Sequence, residues 1–410
     1  MNTPLFFAKK LIKSKLADNS SSKSIIKVSV ASIAIGIIVL ILAMASAKGL
    51  QNVIQEKMHV YTAPIQVSHV DYYSKYDYKP LESNKSLDTI FSHLPEVTSF
   101  HKAAYQVAMI KNGKDVNPVV LKGYDHNFSW EQFKPYLKEG RFPELNADKK
   151  VHEIIISKRL AEKMEYKLQD KVYFFIIDYE KQKEKVKALN IVGIYDVGVV
   201  EFDDVFIYGD LKLIQNINGW KNGEFAMWEL NTSKKWPLEN INSIINDVIP
   251  FDLRARTIFE LNSNIFVWIE MFDTNIYILL IIIGLVASIN LISTILISML
   301  ERSEMVGLLK AIGMPNGQLR SVFLYYMIYL VGKGLIIGNI IGLLICGIQK
   351  YFKIIPLDQE SYHVAYAPIS IDFVDVAILN VVFLCISFIV LIIPSIFIKY
   401  IQPIKVLQFK

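Results

Sequence analysis

Four stretches of this chain run for at least 20 residues with almost no charge, and no other feature restricts its fold as much. They are Val28 to Ala47, Thr274 to Leu300, Val322 to Ile348, interrupted only by Lys333, and Val376 to Ile398. At about 1.5 Å per residue, a helix of that length crosses a hydrocarbon layer of roughly 30 Å. The fold expected is a membrane α-helical protein with four transmembrane helices and a large α/β domain between the first and second. The chain is 52% hydrophobic yet 20% charged, with a mean hydropathy of +0.33, so a water-exposed part must accompany the spans. A disordered chain, a disulfide scaffold and a cytosolic enzyme are excluded.

Charge sets the orientation. Lys9, Lys10, Lys13, Lys15, Lys23 and Lys27 against Asp18 account for the whole net charge of +5. Basic residues stay on the cytoplasmic side of a span. This predicts a cytoplasmic tail (1–27), a first span (28–47), a periplasmic domain with helical stalk (48–273) and a second span (274–300). A cytoplasmic loop (301–320), a third span (321–348), a short periplasmic loop (349–375), a fourth span (376–398) and a cytoplasmic tail (399–410) follow. The short outer loop carries only Lys350 and Lys353 as basic residues, whereas the tails and inner loop carry twelve. Ala43 to Ala47 offers a cleavage-like run of small residues, but the apolar stretch before it is longer than the 7 to 15 residues of a secretory signal. A lysine-rich tail would also suit nucleic acid; its place beside a span argues against that.

The outer segment alternates strand and helix patterns. Ala103 to Ile110 and Val116 to Leu121 flank Asn112-Gly113, a hairpin signal. Glu153 to Ser157, Lys171 to Ile177, Ala188 to Ile194, Asp203 to Tyr208 and Glu224 to Leu230 read as strands. Helices are expected over Ser157 to Lys167, with Ser157 as cap, Asp210 to Ile217 and Leu238 to Val248. Ile258, Leu261, Ile265, Trp268 and Phe272 make a heptad-like seam running into the second span, and Leu50, Val53, Ile54 and Met58 a stripe leaving the first. Such stripes pack beneath the outer domain and can transmit motion to it.

The chain lacks the Gly-rich loop ending in Gly-Lys-Ser/Thr that cradles nucleotide phosphates. Its seven histidines show no metal spacing, no Gly-x-Ser-x-Gly elbow occurs, and its two cysteines, Cys346 and Cys385, lie in predicted spans. No catalytic residue, metal site or cofactor of its own is expected.

In the inner loop, Met305, Leu308, Leu309 and Ile312 fall on one helical face, with Ser303, Glu304, Gly307 and Lys310 opposite, and Gly313 with Pro315 ends the helix. It is too short to span, so it lies along the cytoplasmic face, either offering a ridge to a docking partner or resting in headgroups. Gly334, Gly338 and Gly342 repeat every four residues on the third span, a spacing that lets helix backbones approach within the chain or between chains. Lys333 is expected to snorkel toward the inner side.

Several stretches together resemble LolC and LolE, the permease subunits of the lipoprotein-releasing ABC transporter, within the wider MacB and FtsX-like group. They are Leu5 to Lys10 with Gly36 and Lys48-Gly49-Leu50, Glu153 to Ala161 with Gln169 to Val172, Ile191 to Asp196 with Glu201 to Asp203, and above all Glu301 to Gly313. The resemblance implies a MacB-like periplasmic domain in a bacterial inner membrane and a permease without its own nucleotide site. ATP and Mg would be used by a separate LolD-like ATPase dimer. Glu301, Arg302, Glu304, Met305, Leu308, Leu309, Lys310, Ile312 and Gly313 would couple to it. Met44, Leu50, Val53, Ile265, Ile269 and Phe272 would contact the lipoprotein, and Gly334, Gly338 and Gly342 would pack the helices. A second permease chain and a periplasmic lipoprotein carrier are the further partners. Two departures stand out. The segment Asp178 to Lys187 lacks the proline-rich hook of LolC, and Gln169 replaces a glycine. MacB-like export of peptides or small molecules, or FtsX-like signalling to a cell-wall hydrolase, are the alternatives.

Overall fold

The computed structural model describes residues 3–13, 20–70, 79–145, 152–178, 183–233, 237–301, 303–362 and 364–395. It divides into two compact units. One takes Val53–Val267 with Asp358–Ala365; the other takes the chain up to Asn52, Trp268–Leu357 and the chain from Tyr366.

A short helix α1 (Thr3–Lys13) precedes α2 (Ser20–Tyr61), whose 42 residues continue without a break beyond the expected first span. Nothing between Val28 and Tyr61 stops it: there is no proline, and Gly49 is followed at once by the buried stripe Leu50, Ile54, Met58 and Tyr61.

The outer domain continues with β1 (Ile65–His69), α3 (Lys85–His93), β2 (Val97–Asn112), β3 (Asp115–Tyr124), β4 (Leu137–Gly140), β5 (Glu153–Ser157), α4 (Lys158–Lys163), β6 (Lys171–Asp178) and β7 (Lys183–Tyr195). Then come α5 (Val200–Asp203), β8 (Phe206–Asp210), α6 (Leu211–Asn218), β9 (Met227–Thr232), α7 (Leu238–Val248), β10 (Leu253–Thr257) and α8 (Ile258–Leu261). One sheet joins all ten strands in the order β10-β1-β9-β2-β3-β8-β5-β7-β4, with β6 pairing β2 and β7. Among the described strands, only β3 with β8 and β5 with β7 run parallel. The sixteen-residue β2 makes this continuity: its first part pairs β9 and its second pairs β3.

Local chemistry sets the boundaries. The β2–β3 turn is displaced by one residue from the Asn-Gly expectation, because Asn112 pairs with Asp115 and the central residues are Gly113 and Lys114. Only Gly113 takes a positive φ (58°), the pattern of a two-residue turn with glycine first. Ser157 caps α4 through its Oγ, 2.9 Å from the Leu160 N–H, but α4 stops at Lys163, short of the expected Lys167. The expected strand Asp203 to Tyr208 begins at Phe206 instead, since Asp203 closes the helical turn α5, its N–H donating to the Val199 carbonyl. β7 starts at Lys183, five residues earlier than expected, so the stretch 178–187 is largely strand, with 179–182 outside the described residues.

The membrane unit resumes with α9 (Ser263–Glu301), then α10 (Ser303–Ala311), α11 (Asn316–Phe352), α12 (Gln359–Tyr362), which belongs with the outer unit, and α13 (Phe373–Ser395). The expected seam into the second span is not one helix: α8 ends at Asn262 (φ −127°, ψ 40°) before α9 begins. Among the described residues, three helical stretches are long and apolar enough to cross a membrane: Lys27–Tyr61, Thr274–Thr294 and Asn316–Phe352. The fourth candidate, α13, shows a shorter described apolar run, Phe373–Ile389. Residues 396–398 and the tail 399–410 lie outside the described residues.

The glycine stripe has a partner within the chain. A Cβ on Gly334 would stand 2.7 Å from Ile33 Cγ2, one on Gly338 2.8 Å from the Ala34 carbonyl oxygen, and one on Gly342 3.2 Å from Ile41 Cδ1. Within the chain, the stripe packs against α2. Polar side chains add links that have no competing water in a bilayer, each worth about 0.6 kcal/mol and at most about 2. Asn290 Nδ2 donates to Ser32 Oγ (2.6 Å), the Ser29 and Thr294 hydroxyls meet, and Asn339 and Asn380 exchange amide bonds of 2.7 and 2.9 Å. At the outer end of α2, Gly49 admits the backbone of Pro368, whose oxygen would lie 2.3 Å from a Cβ. The Ser370 N–H donates to the Ala45 carbonyl (3.0 Å), and Lys48 pairs with Asp375.

Candidate functional site

The inner helix α10 packs differently from the expected face. Val306 and Leu309 are buried in the membrane unit's apolar core, with Met305 partly buried against it, and Gly307 is buried as well. Leu308 (53% exposed) and Ile312 (76%) point outward. Their i, i+4 spacing places them one turn apart on a common free side. Counting apolar residues gives Val306 and Ile312 equal weight, whereas Val306 lies inside α10 against the bundle and Ile312 lies past the helix end at Ala311. Lys310 is half-buried and Gly313 exposed. Arg302 lies outside the described residues, and the backbone at Glu301 and Glu304 is helical.

Among the residues expected to meet cargo, Leu50 is buried, and Met44 and Val53 are half-buried. The backbone of Ile265, Ile269 and Phe272 lies in α9. Lys333 is exposed on α11.

The outer domain holds a polar centre that the sequence reading passed over. Lys122 on β3 and Glu229 on β9 are both fully buried, with Lys122 Nζ 2.7 Å from Glu229 Oε1. Glu229 also accepts from Gln66 Nε2 (2.6 Å), Thr62 Oγ1 (3.2 Å) and His101 Nε2 (3.0 Å). Burial alone would raise the Glu229 carboxyl, but Lys122 and His101 more than reverse it and hold it at about 2. Burial would likewise lower the Lys122 ammonium, and Glu229 outweighs that, leaving it raised and charged.

This centre grips the last turn of α2. Lys122 Nζ donates to the Tyr61 carbonyl (2.8 Å), one of the orphan acceptors every helix leaves at its C-terminus. The Tyr61 hydroxyl donates to Asp203 Oδ1 (2.8 Å), its ring lies 4.7 Å from Phe202, and the Gly198 N–H donates to Asp203 Oδ2 (2.8 Å). Burial pushes the Asp203 carboxyl up to about 6, Tyr61 and Gly198 pull it back, Asp196 adds to the rise and Lys57 opposes it. The stretches Ile191 to Asp196 and Glu201 to Asp203, singled out for their resemblance, thus converge on the end of α2. A long helix whose N-terminal half is apolar enough to span ends in a charge-locked socket of the outer sheet.

The missed signal was a charge inside an apolar run. Lys122 follows Val119-Val120-Leu121, and Glu229 sits within Ala226-Met227-Trp228-Glu229-Leu230. Strands buried on both faces tolerate such a residue only when it is paired.

Residues 277–403 match the family model described as FtsX-like permease C-terminal. The lipoprotein-releasing system transmembrane protein LolE of Haemophilus influenzae is 20% identical over 439 residues, covering 100% of both chains. LolC of Neisseria meningitidis serogroup B is 20% identical over 413 residues, covering 96% of both. Over its whole length the chain is similar to LolE and LolC. Both alignments take in the outer domain as well as the apolar helices. Among solved structures, the periplasmic region of MacB from Actinobacillus actinomycetemcomitans aligns with 49% of this chain and 91% of that one, at 12% identity and a TM-score of 0.35. Gln169, the position expected to replace a glycine, takes a left-handed φ of 73°, where glycine would be unstrained.

Proposed function

We propose that this chain is a permease subunit of an inner-membrane ABC transporter that extracts lipoproteins for delivery to the outer membrane. What supports this reading is the match to LolE, which covers 100% of both chains. The chemistry of the task fits the arrangement. An acyl chain of about fifteen buried methylenes is held in a bilayer by about 12 kcal/mol, so extraction needs an external energy source. The chain carries no phosphate-binding loop, and the energy is supplied by a separate cytoplasmic ATPase dimer using ATP and Mg.

In this mechanism the ATPase seats on the outward side of α10, with Leu308 and Ile312 entering its groove and Glu301, Arg302, Glu304 and Lys310 flanking them. Val306 and Leu309 carry the push into the bundle, the glycine contact passes it from α11 to α2, and the Tyr61 socket delivers it to the outer domain. Four helices span, α13 being the fourth. Met44 and Val53 on α2 and the apolar residues Ile265, Ile269 and Phe272 of α9 are the side chains we assign to the lipoprotein's acyl chains, shared with a second permease chain. A periplasmic carrier accepts the cargo without a proline-rich hook, since the β6–β7 connection leaves only 179–182 between paired strands.

The test is depletion of the protein followed by separation of inner and outer membranes. Outer-membrane lipoproteins should accumulate in the inner membrane; their correct sorting in depleted cells would end this reading.

A further inference from the structure

The outer end of the membrane unit carries an apolar projection that packing within the chain does not consume. α11 stops at Phe352, where Lys353 takes a left-handed φ of 50° and donates its N–H to the Gln349 carbonyl (2.9 Å). The following turn is braced through buried Gln349. Its Oε1 accepts the Ile355 N–H (3.1 Å) and its Nε2 donates to the Ala367 carbonyl (3.0 Å). The Ala367 N–H donates to the Ile355 carbonyl (3.0 Å), and Pro356 bridges to Tyr366. The braced turn holds Tyr351 (82% exposed), Phe352 (65%), Ile354 (62%) and Ile355 (53%) outward. Lys350 and Lys353 interleave with them, and Lys353 Nζ stands 5.8 Å from the Tyr366 ring centre.

We propose that this turn is an interfacial anchor whose partner is the phospholipid of the outer leaflet. The aromatic and isoleucine side chains enter the boundary between headgroups and acyl chains, and Lys350 and Lys353 meet the lipid phosphates. Two observations name that occupant. The exposed apolar side of α11, through Ile340, Leu344 and Ile348, runs without interruption into Tyr351 and Phe352, so the same medium borders both. The only two basic residues of 349–375 are set within the projection itself, where anionic phosphates would lie. Tyrosine and lysine at a span end are the side chains that such an interface favours. The anchor is tied to α2 by the Ser370–Ala45 bond and the Asn52–Ser370 bond (3.1 Å), so it fixes the depth of that helix in the membrane. It rests on the reading of α11 as a span with this end outermost.

The experiment places a nitroxide at Ile354→Cys in the full-length protein carrying Cys346→Ala and Cys385→Ala, in nanodiscs of phosphatidylethanolamine and phosphatidylglycerol. Accessibility to oxygen and to a water-soluble nickel chelate is compared with labels at Leu344→Cys and Lys114→Cys. The label at 354 should fall between the lipid-buried 344 and the aqueous 114. Chelate accessibility at 354 equal to that at 114, with 344 still lipid-buried, overturns the anchor; an aqueous 344 instead overturns the span reading. Lys350→Gln with Lys353→Gln should reduce phosphatidylglycerol retained through detergent purification severalfold, read by mass spectrometry, and unchanged retention overturns the phosphate assignment.

Discussion

Replacing Glu229 with glutamine isolates the charge lock. The change keeps size and shape, removes the anion and leaves the Lys122 ammonium fully buried beside an amide. Holding the carboxyl at about 2 against its ordinary 4.5 corresponds to about 3 kcal/mol of native-state interaction. Stranding one partner of a buried pair costs about 3–5 kcal/mol, so the two routes agree. Urea unfolding of the full-length protein in detergent, followed by emission of buried Trp228 on the same strand, reads the loss. With a slope of about 2–3 kcal/mol per molar, the midpoint should fall by about 1–2 M. Lys122→Met combined with Glu229→Met, which strands no charge, should cost far less than the two single changes added. An unchanged midpoint for Glu229→Gln, or strict additivity in the pair, would refute the reasoning.

Asp203 should give the opposite pH signature. Its folded pKa of about 6 lies above the ordinary 3.8, so its contribution is fully present below about pH 4 and is lost as pH rises through 6. Asp203→Asn should abolish that loss of about 3 kcal/mol in unfolding measured from pH 4 to 7, while the Glu229 window, from 4.5 down to about 2, stays intact. Gly338→Leu should force α2 and α11 apart, at about 1–3 kcal/mol or more, and reduce disulfide trapping of a cysteine pair placed across the two helices. Gln169→Gly should relieve about 1 kcal/mol of left-handed strain and raise the melting temperature. Leu308→Glu with Ile312→Glu should abolish co-purification of an ATPase while membrane insertion, read by alkaline extraction, is unaffected.

What could be read in advance follows from the range of the forces involved. Membrane helices announce themselves because each satisfies its own backbone and needs only a long apolar run, and α7 was delimited to the residue by its own periodicity. The hairpin at Gly113 was legible for the same local reason, to within one residue. Failures came where distant residues decide. Asp203 reads as the start of a strand, yet its carboxyl is claimed by Tyr61, 142 positions away. Lys122 and Glu229, 107 apart, reveal their pairing only when β3 and β9 flank β2 in the sheet. The outward side of α10 depends on which residues the bundle happens to cover, and the break at Asn262 interrupts a seam whose spacing looked continuous.

Energy-dependent release in a defined system tests the central claim most directly. Proteoliposomes containing this permease, its co-purified ATPase and an acylated lipoprotein should discharge the lipoprotein to a soluble acceptor on addition of ATP and Mg, and should not do so with Leu308→Glu and Ile312→Glu in place. Release that proceeds equally without ATP, or lipoprotein that stays in the vesicles while the ATPase turns over at full rate, would contradict the account.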